Sequence, residues 1–390
     1  MSWPRDTAKL RRVRELMAEQ ELDALVVRAP DNILYLDSYW CMKGYDVLVF
    51  PADGEPVLIV LEPQLEEARR TSWTQDIRTF AGYHPDDPRP PWYRSLDIAV
   101  GVLKELGAHR VGLELSQGTQ AADLMVAEPT VFSQPWFDAF ANEVIDASGL
   151  LATARAIKTE QEVERMRLAA ELAAEAMEHV RDQLRPGMKT SEVGAMYEAY
   201  VHSVGVGYQG RVDMARAFTL VWSGPGIRTF TATSDAHVSA DEPTLLEIWV
   251  ATDGYWCDLT KNACPGELTG EYDSLLDGLL TVYQRAIEHL RPGASLPELD
   301  RLVRDGIGEI GYPGQPSHPI AHGVGARAHE PPYAHQAGTG ELREGMVLAV
   351  EPGCYWPGGG GLRVEDNFLI TADGCEQLGR YADDFRTVHR

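Results

Sequence analysis

Glu247, Asp258, His322, Glu351 and Glu365 stand in the last third of this 390-residue chain, and a second histidine, His329, follows in HGVGARAHEPP. Carboxylates and imidazoles are side chains that hold divalent cations, and four carboxylates carry roughly four negative charges, which two such ions neutralise. The set reads as a dinuclear metal site. The remaining sequence is the scaffold that has to bring it together.

LLEIWVATDGYWCDLT has the pattern of two strands joined at Ala-Thr-Asp-Gly. A turn centred near residues 252–253 makes Glu247 and Asp258 cross-strand neighbours and pairs Trp249 with Trp256; a bulge at Gly254 would shift that register by one. MVLAVEPG is an apolar strand ending in Glu351, a costly place for a carboxylate unless it is paired or bound to a cation. Gly358 to Gly361 form a loop before LRVEDNFLI, where Arg363 and Glu365 share a face of one strand. His322 precedes Gly-Val-Gly, small residues that let backbone approach a ligand closely.

The elements that carry these residues fall into two domains, 1–150 and 158–390. The first alternates helix and strand: an amphipathic helix over 5–20, a strand at LDALVV, a hairpin in VLVFPADGEPVLIV, helices near 63–70 and 95–107, and the strand RVGLEL. Thr159 to Glu162 form a capping box that opens a long Ala-rich helix to about Leu184. A second helix from Ser191, strands over 216–265, helices at 271–290 and 296–310, and closing strands complete an α+β body with every candidate ligand on its strands.

With 59 acidic against 35 basic residues the net charge is −24, and no basic stripe interrupts it, so nucleic acid and anionic membranes are excluded as partners. Five cysteines without framework spacing read as reduced thiols. The N-terminus is charged and helical rather than a signal peptide, and no apolar run approaches the roughly 20 residues of a membrane span. A cytoplasmic protein is expected.

DGYWCDLT, HGVG with HEPP seven residues after His322, VEPG and GLRVED, at separations 247 to 258, 322 to 351 and 351 to 365, resemble the superfamily of methionine aminopeptidases, Xaa-Pro peptidases and creatinases (M24). The resemblance spans the chain. It implies a C-terminal pita-bread catalytic domain behind an N-terminal creatinase-type α/β domain. It also implies that Asp258 and Glu365 bridge two metals, that Glu247 completes one site, and that His322 with Glu351 completes the other. Glu351 would serve as general base or proton shuttle, His329 would stabilise the tetrahedral intermediate or hold substrate, and Arg363 would orient Glu365. Oxygen-rich ligation with one imidazole suits Mn²⁺ first, with Co²⁺, Fe²⁺ or Zn²⁺ as alternatives. The family further implies a head-to-tail homodimer, in which Tyr39-Trp40-Cys41-Met42 is the candidate lid over the partner's site.

Three positions depart from the peptidase pattern. Glu247 stands where Asp is usual, Phe230 where a substrate histidine lies 17 residues earlier, with His237 nearby, and Lys261 where the DxTR motif ends in Arg. These departures are read as falling on the substrate side. The expected activity is therefore hydrolysis of a C–N bond, Xaa-Pro dipeptidase- or aminopeptidase-like. Alternatives are a member acting on a small nitrogen compound, as creatinase or ectoine hydrolase does, a metal-dependent lyase, and a metal-free binding module.

Overall fold

The structure, a computed structural model, describes residues 3–41, 44–115, 134–140, 143–228, 231–311, 316–356 and 358–379. They divide into two units, Met1–Arg155 and Ala156–Arg390. In the first, α1 (Thr7–Glu19) is capped by Asp6, which accepts from the Lys9 amide, and buries Leu10, Val13 and Met17 along one stripe. There follow β1 (Ala24–Val27), α2 (Pro30–Asp37), β2 (Val47–Pro51), β3 (Val57–Leu61), α3 (Leu65–Thr71), β4 (Asp76–Phe80), α4 (Pro91–Leu106), β5 (Arg110–Leu113), α5 (Gln134–Ala139), β6 (Glu143–Asp146) and α6 (Ser148–Ala156). The strands form one mixed sheet in the order β4-β3-β2-β1-β5-β6. The expected hairpin is present, with Leu48 opposite Leu58. β1 and β2 are buried throughout, which is why both are continuous apolar runs.

The second unit opens with α7 (Glu160–Gln183), held by the reciprocal capping box of Thr159 and Glu162, and α8 (Thr190–Gly205). Then come β7 (Ala215–Ser223), β8 (Thr244–Thr252), β9 (Tyr255–Ala263), α9 (Gly270–His289), α10 (Leu296–Ile310), β10 (Ala321–Gly323), β11 (Glu330–Tyr333), β12 (Val347–Val350), β13 (Gly353–Trp356), β14 (Gly360–Arg363), β15 (Asp366–Ile370) and β16 (Cys375–Leu378). Strands β7-β8-β9 make one antiparallel sheet, β11-β10-β12-β15-β16 a second, and β13-β14 a ribbon. Helices α7 and α8 back the first sheet, with Gly194 and Gly205 of α8 letting the helix close on Val221 and Ala215. Helices α9 and α10 share a core with Leu348, Val350, Phe368 and Ile370 of the second sheet.

The residues of β7 that meet α8 alternate with Phe218 and Leu220, so the other face of this sheet is the one left for the site. Its rungs are Phe218–Trp249–Asp258 and Leu220–Glu247–Thr260. This corrects the register expected from sequence. Asp253 and Gly254 form a two-residue turn with φ of 46° and 81°, the positive-φ pair that Asp-Gly supplies in tight hairpins. The turn centre therefore lies one residue later, Glu247 faces Thr260 instead of Asp258, and Trp256 faces Ala251 instead of Trp249. The side chains keep their face, because a partner displaced by two residues preserves the alternation.

Candidate active site

Two sheets meet where β9 approaches β15. The Glu365 amide donates to the Thr260 carbonyl at 3.3 Å. Asn367 reproduces a strand pairing with its side chain: its Oδ1 accepts from the Asp258 amide at 3.0 Å, and its Nδ2 donates to the Asp258 carbonyl at 2.6 Å. These bonds place the carboxylates of Asp258 and Glu365 in one buried space. His322 enters it from β10, and Glu351 from the residue just after β12.

His322 Nδ1 hydrogen-bonds the Gly323 carbonyl at 3.0 Å, which leaves Nε2 as the acceptor of the neutral ring. That Nε2 lies 3.5 Å from Glu351 Oε1, 3.6 Å from Asp258 Oδ2 and 4.0 Å from Glu365 Oε1. His329 Nε2 lies 3.4 Å from Asp258 Oδ2. Donor atoms bound at about 2.1 Å to one cation stand roughly 3–4 Å from each other, so the spacing is that of a ligand set. Among the described residues two groups have it: Asp258, His322 and His329, and His322, Glu351 and Glu365.

Hydrogen bonding supplies the test of whether a cation fits. Two other buried carboxylates are satisfied: Glu114 accepts from the Arg28 amide and Asn32 Nδ2, each at 2.7 Å, and Asp37 from Thr74 and Ser72 hydroxyls, each at 2.6 Å. Neither oxygen of Asp258 has a hydrogen-bond partner, nor has His322 Nε2. Orphaned buried acceptors are costly, and a divalent cation is the group that satisfies carboxylate and imidazole acceptors together. The residues fit it.

Electrostatics agree. Burial and the neighbouring carboxylates push the Asp258 and Glu365 carboxyls well above their ordinary range, and Arg363 offsets this only in part. Burial alone would raise Glu351 too, but His318, Arg363 and His322 outweigh it and hold it down at about 2. Burial, reinforced by His322, lowers His329 to about 3 and keeps its ring neutral.

Glu247 and Arg363 behave differently from expectation. Arg363 closes β14, Val364 intervenes, and Glu365 makes a single bridge to Thr260 before β15 begins, so Arg363 and Glu365 do not share one strand. The guanidinium is ion-paired with Glu247, and its Nε donates to Thr260 Oγ1 at 2.7 Å. Thr260 Oγ1 in turn donates to Glu365 Oε2 at 2.6 Å, whereas Arg363 Nε stays 3.9 Å from that oxygen. Arg363 thus reaches Glu365 through Thr260.

Lys261 does not face the carboxylate cluster. It alternates with Asp258 and Thr260 onto the opposite face of β9, where its Nζ meets Asp366 Oδ1 at 2.6 Å while the Tyr283 hydroxyl donates to Oδ2 at 2.6 Å. Tyr39 is buried and donates to Asp46 Oδ2 at 2.8 Å, a bond internal to the first unit. Trp40 is half-buried. His237 is exposed and bridges Lys189 through its backbone, with no hydrogen bond or ion pair to the cluster among the described residues. Phe230 and Met42 lie outside the described residues.

Residues that sequence reasoning passed over are His318, Thr260 and Asn367. His318 Nδ1 lies 3.0 Å from Glu351 Oε2, and its Nε2 3.2 Å from the Tyr355 hydroxyl. Thr260 and Asn367 each stand two residues from a candidate ligand, so strand alternation was a usable signal; His318 precedes β10 and had none.

Fold and site define a two-domain, metal-dependent hydrolase whose second domain holds a buried carboxylate–imidazole centre. The chain belongs to metallopeptidase family M24, which matches residues 164–372, and the creatinase/prolidase N-terminal domain matches residues 9–157. It is similar to an uncharacterized peptidase of Staphylococcus saprophyticus, 27% identical over 375 residues, covering 96% of this chain and 99% of that one. Among solved structures it is similar to the Xaa-Pro dipeptidase from Bacillus anthracis (TM-score 0.81, 25% identity, 97% and 99% of the two chains). The prolidase from Pyrococcus horikoshii shares the fold (TM-score 0.79, 24% identity, 97% and 100% of the two chains). No helix among the described residues is long and apolar enough to cross a membrane.

Proposed function

We propose that this protein hydrolyses the amide bond before proline in short peptides, as an Xaa-Pro dipeptidase-like enzyme, with divalent cations held by Asp258, His322, Glu351 and Glu365, and Glu247 completing the set. The observation that carries the reading is the group of orphaned acceptors on Asp258 and His322 beside two further carboxylates. Likeness to the Bacillus anthracis Xaa-Pro dipeptidase over nearly the whole chain supports the substrate class. The oxygen-rich donor set favours Mn²⁺, then Co²⁺, Fe²⁺ or Zn²⁺. A cytoplasmic homodimer is the assembly that goes with this reading, and Trp40, whose indole N–H is without a hydrogen-bond partner, is its candidate lid residue.

Bound divalent cations supply a water of lowered pKa and polarise the scissile carbonyl. The protein's own groups do the rest. Glu351, held ionised beside the Arg363 guanidinium, accepts the proton of the attacking water and delivers it to the departing amine. His329, neutral and beside Asp258, donates an N–H to the oxygen that becomes anionic. Asn367 and Thr260 hold Asp258 and Glu365 in place.

The test is a panel assayed with chelator-treated protein and added Mn²⁺: Xaa-Pro dipeptides, other dipeptides, longer peptides with proline second, creatine and ectoine. Cleavage confined to Xaa-Pro bonds, lost on chelation and restored by metal, is expected. Turnover of creatine or ectoine with silence on every peptide would overturn the reading.

A further inference from the structure

Trp249 occupies the middle of the rung Phe218–Trp249–Asp258, directly opposite a candidate ligand. Its indole stacks on Phe218 with centroids 5.3 Å apart and planes 13° from parallel, and it stands 5.9 Å from the His329 ring. Phe218 is partly exposed whereas Trp249 is only 6% exposed, so the aromatic pair runs from the rim of the sheet to the cluster. Yet Trp249 Nε1–H has no hydrogen-bond partner. An indole nitrogen only donates, and a buried donor left unpaired forfeits the hydrogen bond it had to water. The neighbouring orphans on Asp258 and His322 are acceptors that answer to a cation; a donor answers to an oxygen.

We infer that Trp249 is a substrate-binding and specificity-determining residue. Its N–H donates to a carbonyl or carboxylate oxygen of the bound substrate, and its ring with Phe218 forms a flat wall for the substrate's apolar part. This rests on the hydrolase reading, with peptides as the first substrate class to examine, and it adds a contact on the protein's own side of the site.

The test pairs kinetics with a binding signal. W249F keeps the ring and removes the donor; it is expected to raise KM for the best substrate of the panel about tenfold, the equivalent of about 1.4 kcal/mol, with metal content unchanged. W249A removes the wall as well and is expected to admit substrates with bulkier apolar groups that the wild type rejects. Independently of turnover, the indole N–H resonance missing from the spectrum of W249F, observed in ¹⁵N-tryptophan-labelled protein loaded with diamagnetic Zn²⁺, is expected to move when glycyl-proline, proline or acetate is added. An unmoved KM together with an unmoved resonance would overturn the assignment and leave the peptidase reading standing. Failure to cleave any peptide while the resonance still moves would remove the peptidase reading alone.

Discussion

Arg363 is ion-paired with Glu247 deep in the second unit, and the same guanidinium hands a hydrogen bond through Thr260 to Glu365. One cation thus holds two of the carboxylates that sequence spacing assigns to metal. Glu247, a residue longer than the aspartate usual at its position, has the reach to meet it.

Arg363→Met leaves Glu247 without its partner, and removing one member of a buried pair costs about 3–5 kcal/mol. In chelated protein this variant should lose stability on that scale, read from guanidinium unfolding. Saturating Mn²⁺ should narrow the gap, because a bound cation offers Glu247 another counter-charge; a gap that metal leaves untouched would place Glu247 outside the ligand set.

Asn367→Leu breaks both hydrogen bonds that fix the Asp258 backbone. Outer partners of this kind tune metal affinity by about 10–100-fold. Calorimetric titration with Mn²⁺ should show a loss in that range, and undiminished affinity would mean that Asp258 is positioned by other contacts.

Lys158 Nζ meets Glu330 Oε1 at 2.7 Å with both side chains buried, next to His329 in sequence. Lys158→Met should destabilise the fold by about 3–5 kcal/mol, and Lys158→Met combined with Glu330→Leu should recover much of it, since an apolar pair strands no charge. Denaturant unfolding of the three variants checks this; equal losses in single and double variants would contradict it.

Asp37, in the first unit, is raised from 3.8 to about 6 by burial, which outweighs the hydrogen bonds from Ser72 and Thr74. Below about pH 4 both folded and unfolded states hold the proton; between there and about pH 6 only the folded state does. Its contribution is therefore fully present in acid and is lost as pH rises through about 6, on the order of 3 kcal/mol across the window. Asp37→Asn should remove this part of the pH dependence of stability. The Asp37 carboxyl carbon resonance should titrate near pH 6, and a midpoint near 4 would refute the shift.

Much of the fold was readable because its signals are local. The capping box of Thr159 and Glu162 and the apolar stripe of α1 act over a few residues, and each appears where its residues stand. The placement of Glu247, Asp258 and His322 on strands follows from that same short-range code. Alternation even protected the face of Glu247 and Asp258 when the hairpin register was displaced.

Other features depend on which strands meet. Nothing in the spacing of Arg363 and Glu365 shows that the guanidinium turns to Glu247, because that contact is made between segments far apart in sequence. Lys261 sits beside Thr260 yet belongs to the opposite face, where Asp366 and Tyr283 receive it. His318 joins Glu351 from a stretch without periodicity. Sequence by itself determined the family, the elements and the candidate donors, since these are written in residue types and short spacings. Tertiary structure decided which donors keep free lone pairs and which are already paired, because that depends on long-range approach of β9 to β15 and on burial, neither of which a local pattern encodes.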